Sequence, residues 1–111
     1  MHPTDVDVTH ISEPGSVEFS WHGHELFVVR WQGLIRVYKN ACPHIGISLN
    51  FMPDQFFDPE KSFIICANHG ALFHIEDGLC ESGPCYREHL LQVPHEIREG
   101  WLWIDSSGLG S

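Results

Sequence analysis

The chain has 111 residues, 42% of them hydrophobic, a length that fits one compact domain and leaves no room for a second, catalytic one. Its 6 Lys and Arg residues oppose 15 Asp and Glu residues, and the formal net charge of −9 repels nucleic acid and anionic lipid. The same charge either attracts a partner with a basic face or simply keeps the chain in solution.

We expect no targeting signal at the beginning of the chain. Residues 1–12 are polar and acidic, and no apolar run in the chain reaches the ~18 residues of a membrane span. We therefore expect a cytoplasmic protein with no membrane partner. Thiols stay reduced in the cytoplasm, so the four cysteines indicate metal chemistry more readily than a disulfide framework.

Turn signals divide the chain into an arm, a folded domain and a tail. Residues 1–15 are rich in Asp, Thr, Ser and Pro and predict a flexible arm. Residues 16–104 hold the strand-forming runs and predict the folded domain, and residues 105–111 predict a loose tail. The predicted strands cover residues 17–21, 24–31, 34–38, 63–65, 71–75, 79–81, 90–93 and 101–104.

No run shows the 3.6-residue apolar period of a helix, and the sequence contains no internal repeat. The Gln32-Gly33 turn joins two of the strand-forming runs into a hairpin. The predicted fold class is all-β.

Two short motifs dominate the sequence. Residues 42–44 read Cys-Pro-His and residues 66–69 read Cys-Ala-Asn-His, and each motif ends an apolar run. One thiolate and one imidazole from each of two loops is the ligand set of a mixed [2Fe–2S] cluster, with two sulfurs on one iron and two nitrogens on the other. The candidate ligands are Cys42, His44, Cys66 and His69. Gly46 and Gly70 follow the two histidines, and glycine lets a backbone approach a buried object closely.

Other readings of these four residues remain open at this point. A tetrahedral zinc site uses the same ligand types. Zinc fingers, however, usually place two cysteines in one half of the motif and two histidines in the other, whereas here each half has one of each. The pattern therefore favours an iron–sulfur cluster over zinc and over a metal-free structural role.

The two motifs resemble the Rieske [2Fe–2S] signature. The resemblance rests on residues 42–46 and 66–73, on the Asp77-Gly78 turn and on a Gly83-Pro84 loop, and it covers residues 26–104. It implies a β-sandwich or barrel-like base with a small cluster-binding lobe. It also implies that the two cysteines hold the inner iron and the two histidines the outer one. The spacer between the motifs, residues 45–65, is longer than is usual in the family.

The resemblance implies a small one-electron carrier, a Rieske-type ferredoxin. Such a protein takes an electron from a reductase and passes it to a terminal oxygenase or similar enzyme, and we do not expect it to be an enzyme by itself. Two alternatives from other classes share the motif: the small subunit of an NAD(P)H nitrite reductase-like complex, and a redox-sensing regulatory protein.

The resemblance also predicts a low reduction potential. High-potential Rieske proteins carry a cysteine pair that bridges the two ligand loops, at positions matching Ile47 and Ala67. They also carry two hydroxyl donors to the cluster sulfurs, at positions matching Ala71 and Phe73. This chain has none of the four features.

Two further groups of residues have more than one interpretation. Cys80 and Cys85 flank the Gly83-Pro84 loop, and three interpretations of them are open. They act as buried small apolar residues, which is the default, or they form a redox-active or disulfide pair. The least favoured interpretation is that they are extra ligands of the cluster. The middle of the spacer, residues 50–58, contains three phenylalanines, at positions 51, 56 and 57. They are expected to fill the core under the loop more than to form a docking patch for a partner.

Overall fold

A computed structural model describes residues 1–43, 46–50, 52–68 and 70–109 of the chain. In this part of the chain nine strands and two short 3-10 helices are found, which confirms the all-β prediction. The strands are β1 (His2–Asp7), β2 (Gly15–Trp21), β3 (His24–Trp31), β4 (Leu34–Lys39), β5 (Ile64–Ile65), β6 (Leu72–Phe73), β7 (Cys80–Ser82), β8 (His95–Arg98) and β9 (Trp101–Ile104). Over the same residues, no helix is long and apolar enough to cross a membrane.

The strands form three antiparallel sheets of three strands each. The base sheet has the order β1-β9-β8, the central sheet β2-β3-β4, and the small sheet β5-β6-β7. Both hairpins of the central sheet are regular, and all seven residues of β2 pair with β3. The central sheet therefore lies in the middle of the molecule, with a hydrophobic core on each side.

Strand β3 supplies side chains to both cores because successive residues of a strand point to opposite faces. Leu26 and Val28 pack into the core shared with the base sheet. Phe27 and Val29 pack into the core shared with the small sheet. All four side chains are buried, and each contributes roughly 1.5–3 kcal/mol of hydrophobic stabilisation. This double burial explains the nearly continuous apolar run of the β3 sequence.

The first residues of the chain are part of the fold, and the flexible arm predicted over residues 1–15 is wrong. Strand β1 pairs antiparallel with β9. Val6, Val8 and Ile11 are buried in the core of the base. The prediction failed because the apolar residues of this segment are too widely spaced among polar ones to show a strand period.

The end of the domain also differs from the prediction. Residues 90–93 form no strand and pair with β4 through an isolated bridge and two backbone hydrogen bonds, whereas β8 (His95–Arg98) forms the hairpin with β9. The tail is not loose over residues 105–109. The second 3-10 helix of the chain, Ser106–Gly108, lies in this tail and is capped by the Asp105 side chain. Leu109 is buried in the base core. Residues 110 and 111 lie outside the described residues.

The long spacer is fastened to the central sheet. Phe56 is fully buried and stacks on Phe27 with ring centroids 4.1 Å apart and planes 5° apart. The Asp54 carbonyl accepts a hydrogen bond from the Ser16 hydroxyl over 2.6 Å, and the Trp31 indole donates to the Lys61 carbonyl over 2.9 Å. The core-filling interpretation is therefore confirmed for Phe56. Phe57 is half-buried, and Phe51 lies outside the described residues.

Candidate metal centre

The first predicted ligand loop, residues 42–47, is closed by two backbone hydrogen bonds. The Cys42 amide donates to the Ile47 carbonyl over 2.7 Å, and the Gly46 amide donates to the Cys42 carbonyl over 2.6 Å. Gly46 has a φ of +77°, a left-handed conformation that glycine adopts without steric cost. The loop thus turns the chain back on itself directly after the first cysteine.

The second predicted ligand loop, residues 66–71, repeats this geometry bond for bond. The Cys66 amide donates to the Ala71 carbonyl over 2.9 Å, and the Gly70 amide donates to the Cys66 carbonyl over 2.8 Å. Gly70 has a φ of +71°. Two stretches that share a cysteine, a histidine and a glycine therefore form the same closed loop, each with the cysteine at its start and the glycine four residues later.

Direct hydrogen bonds join the two loops. The Ala67 amide donates to the Leu49 carbonyl over 2.8 Å, and the Asn68 side-chain amide donates to the Ser48 carbonyl over 3.0 Å. Residues just after the first loop thereby hold the start of the second loop in place.

Asn40 stabilises the segment that joins the two ligand loops. It is the one polar side chain classed as buried in the described part of the chain. Its Oδ1 accepts a hydrogen bond from the Leu49 amide over 2.8 Å, and its Nδ2 donates to the Asn50 side chain over 3.0 Å. The sequence reasoning did not select Asn40, because an asparagine at the end of a strand is common and carries no motif.

The four predicted ligands are only partly described. The sulfur-bearing residues Cys42 and Cys66 are fully buried in the core next to the small sheet. His44 and His69 lie outside the described residues. Among the residues that are described, no three His, Cys, Asp or Glu side chains are arranged as a metal-holding group.

A third loop carries the other two cysteines and packs against the second ligand loop. Gly83 has a φ of +106°, and a Cβ at this position would lie 2.8 Å from the Ala71 Cα. Only glycine therefore fits between the third loop and the second ligand loop. Cys80 and Cys85, on either side of Gly83, are both buried. No disulfide joins them, and their sulfurs lie 3.1 Å apart, within hydrogen-bonding distance.

Cys85 is buried in the same core as Cys42 of the first ligand loop. Its thiol lies within hydrogen-bonding distance of the Cys80 sulfur. Burial, and secondarily the Cys80 thiol, raise the pKa of Cys85 far above the ordinary thiol value. The sequence placed the third loop near the predicted ligands only by resemblance, and no spacing rule indicated a thiol-to-thiol contact.

The residues present suit a cluster with mixed ligands. Two buried thiols start two loops of identical backbone geometry, and each loop has a glycine that bends the backbone without adding a side chain. Thiolate sulfur is the ligand that iron–sulfur clusters require.

The chain matches the model of the Rieske [2Fe-2S] domain family over residues 4–96. It belongs to this family, and it binds a [2Fe–2S] cluster. Among curated proteins, none matches the chain significantly in sequence.

Solved structures share the fold. The chain is similar to the ferredoxin of carbazole 1,9a-dioxygenase from Nocardioides aromaticivorans IC177, with a TM-score of 0.74 and 19% identity over 94% of this chain and 97% of that one. It is also similar to the terminal oxygenase of carbazole 1,9a-dioxygenase from Novosphingobium sp. KA1, with a TM-score of 0.73 and 18% identity over 87% of this chain. That match covers only 27% of the oxygenase chain.

A third match is to a chain in a complex of reduced oxygenase and oxidized ferredoxin in carbazole 1,9a-dioxygenase. The TM-score is 0.70, and the identity is 21% over 88% of this chain and 86% of the other.

Proposed function

We propose that this chain is a one-electron carrier, a Rieske-type ferredoxin that passes electrons from a reductase to a terminal oxygenase or a similar enzyme. One observation carries the proposal. The match to a ferredoxin spans nearly the whole of both chains, whereas the match to an oxygenase spans about a quarter of the oxygenase. The described fold therefore corresponds in extent to that ferredoxin.

We further propose that Cys42 and Cys66 bind the inner iron and that His44 and His69 bind the outer one. Support comes from the two closed loops, which bury both cysteines at equivalent positions. When bound, the cluster accepts and releases one electron. The chain keeps water away from the two sulfurs by burying them, and the loop hydrogen bonds fix where the ligands lie.

The partner surface of the carrier is proposed to include exposed apolar side chains of the loops. Ile47, in the first ligand loop, is 38% exposed, and Tyr86, in the third loop, is 59% exposed. The net charge of −9 favours a partner with a basic rim. We place the protein in the cytoplasm, in keeping with four cysteines that form no disulfide.

The ligand assignment is tested by serine variants. Cys42→Ser and Cys66→Ser are expected to abolish the visible absorbance of the purified protein, because cluster binding supplies the free energy that orders these loops. The matched control is the double variant Cys80→Ser with Cys85→Ser, which is expected to keep its iron. Normal absorbance in either single variant would contradict the assignment.

The carrier role is tested by electron transfer in solution. The protein is mixed anaerobically with NAD(P)H and a flavin-dependent reductase of an oxygenase system. We expect reversible uptake of one electron per chain, and reoxidation by the terminal oxygenase of such a system at a rate that falls with added salt. Purification only as a stable complex with a larger reductase subunit would indicate the nitrite reductase-like alternative. Failure of reduced protein to pass its electron to any such enzyme would contradict a carrier.

A further inference from the structure

We propose that Cys80 and Cys85 form an oxidation site, at which a low-molecular-weight disulfide converts the two thiols to an intramolecular disulfide, and that this cross-link slows loss of the cluster. The observation that carries the proposal is the contact between the two sulfurs, which lie 3.1 Å apart with no disulfide between them. The oxidation site stands on this contact alone. The effect on the cluster rests on the ligation proposed above.

Backbone hydrogen bonds hold the two cysteines beside each other. The Cys80 amide donates to the Glu88 carbonyl over 2.8 Å, and the Glu88 amide donates to the Cys85 carbonyl over 2.8 Å. The Arg87 amide donates to the Cys80 carbonyl over 3.2 Å, and the Cys80 sulfur donates to the Ser82 carbonyl over 3.2 Å. The sulfurs need to approach by only about 1 Å to reach the length of a disulfide bond. Two thiols fixed in contact also react as if highly concentrated.

The loop that covers the pair lies at the surface. The two cysteines are each only 1% exposed, yet residues 81–84 and 86–87 are all exposed. Such a loop can open locally without unfolding of the core, and the opening gives a small oxidant access to the sulfurs. Because burial raises the pKa of Cys85, its thiolate fraction is small and we expect the exchange to be slow.

The reaction with glutathione disulfide, taken as the probe, is a thiol–disulfide exchange in two steps. One protein thiolate attacks a sulfur of glutathione disulfide, and the first glutathione leaves and takes up a proton. The second protein thiolate attacks the protein sulfur of this mixed disulfide, so the protein S–S bond forms and the second glutathione leaves. The protein loses two electrons and two protons, which glutathione disulfide gains. A reducing cytoplasm keeps the pair as thiols until the ratio of glutathione disulfide to glutathione rises.

The cross-link acts on the second ligand loop through Gly83, which lies between the two cysteines. A Cβ at Gly83 would lie 2.8 Å from the Ala71 Cα, so the third loop packs directly on Ala71. The Ala71 carbonyl accepts the hydrogen bond from the Cys66 amide that closes the second ligand loop. A disulfide removes conformations that the opened third loop could otherwise adopt. We therefore expect the cross-linked protein to uncover the second ligand loop less often.

Peptide mass mapping tests the oxidation site. Cluster-loaded protein is incubated to equilibrium at a series of ratios of glutathione disulfide to glutathione, and is then denatured in the presence of a thiol-alkylating reagent. Cleavage after glutamate gives the peptides 77–81 and 82–88, which contain one cysteine each. We expect these two peptides to become joined as the ratio rises. The two ligand cysteines are expected to be recovered as alkylated thiols.

Bleaching by an iron chelator tests the effect on the cluster. The rate at which visible absorbance is lost is compared in wild-type protein before and after oxidation, once free glutathione disulfide has been removed. We expect the loss to be about tenfold slower after oxidation and to return to its original rate after re-reduction with glutathione. The matched control is the double variant Cys80→Ser with Cys85→Ser. Treatment with glutathione disulfide is expected to leave the rate of this variant unchanged.

Wild-type protein that keeps all its thiols in glutathione disulfide alone, or that forms a disulfide to Cys42 or Cys66 instead, would overturn the oxidation site. Cross-linked protein that loses its cluster as fast as the thiol form, or an equal slowing in the double variant, would overturn the effect on the cluster. A wild-type protein without visible absorbance would instead contradict the proposed function, and the peptide masses would still report the oxidation site. The failures are therefore distinguishable.

Discussion

The Ala67 amide donates a hydrogen bond to the Leu49 carbonyl over 2.8 Å, and this bond ties the second ligand loop to the chain that leaves the first. High-potential Rieske proteins, by resemblance, join the two loops through cysteines at the positions of Ala67 and Ile47. Here hydrogen bonds do this work. A hydrogen bond can be broken and remade by thermal motion, so the support beneath it matters more than in a disulfide-bridged protein.

Asn40 provides that support, and Asn40→Ala is expected to destabilise the junction. The variant leaves the buried Leu49 amide without its acceptor, which costs roughly 1–3 kcal/mol. We expect the free energy of unfolding, measured in urea on the cluster-loaded protein, to fall by this amount and cluster loss under air to accelerate. Asn40→Asp keeps the acceptor oxygen, so we expect a smaller decrease in the free energy of unfolding than in Asn40→Ala. Unfolding curves that coincide for wild type and Asn40→Ala would contradict this role.

Gly70→Ala is expected to weaken cluster retention through the backbone alone. A Cβ at Gly70 meets no atom within 4 Å, so the cost comes from its φ of +71° and amounts to roughly 1–2 kcal/mol. Gly33, in the β3–β4 turn, has a φ of +79° and equally open space. Gly33→Ala is therefore a matched control with the same strain away from the ligand loops.

The two glycine variants should differ in one measurement and agree in another. We expect similar losses in thermal midpoint, but faster loss of visible absorbance in the presence of an iron chelator only for Gly70→Ala. Equal rates of cluster loss in both variants would show that the second loop's bend does not hold the cluster.

Much of this structure was predictable because its strongest signals are local. The β3–β4 hairpin follows from apolar runs around the Gln32-Gly33 turn, and both ligand loops follow from Cys and His spacing with a glycine behind each histidine. Strand β1 was not predictable, because its partner β9 lies at the far end of the chain and only that long-range pairing buries Val6. The burial of Cys85 in the same core as Cys42 is missed for the same reason.

The reduction potential is expected to lie near the low end of the Rieske range, around −150 mV. Two missing hydroxyl donors lower the potential by roughly 80 mV, at ~1 kcal/mol each and ~59 mV per 1.4 kcal/mol for one electron. Phe73→Tyr restores one hydroxyl and is expected to raise the midpoint in protein-film voltammetry. Phe27→Tyr adds a hydroxyl to an equally buried ring of the central sheet and serves as the control. A wild-type midpoint above about +100 mV would contradict this explanation.

Stability is expected to fall in mild acid because of His95. Burial, and secondarily the positive charge of Arg36, lower the pKa of His95 in the folded protein. The unfolded chain therefore takes up a proton at higher pH than the folded one, starting near the ordinary value of about 6.5. The stability that neutral His95 contributes is complete above that pH and declines as the pH falls towards the lowered pKa.

His95→Gln removes this proton uptake. Thermal midpoints of the cluster-loaded protein between pH 7.5 and about 5 should fall less steeply in His95→Gln than in wild type. His89→Gln, at an exposed position, is the control and is expected to keep the wild-type slope. Parallel slopes for wild type and His95→Gln would contradict the assignment to His95.

The central claim is that one [2Fe–2S] cluster is held by two cysteines and two histidines. The most direct test is electron spin echo envelope modulation on the dithionite-reduced protein, which detects nitrogen bound to the reduced iron. We predict couplings from two directly bound ¹⁴N nuclei, and their reduction to one in His69→Cys or His44→Cys protein that retains a cluster. A reduced cluster without directly bound nitrogen, or a colourless protein that contains zinc, would contradict the claim.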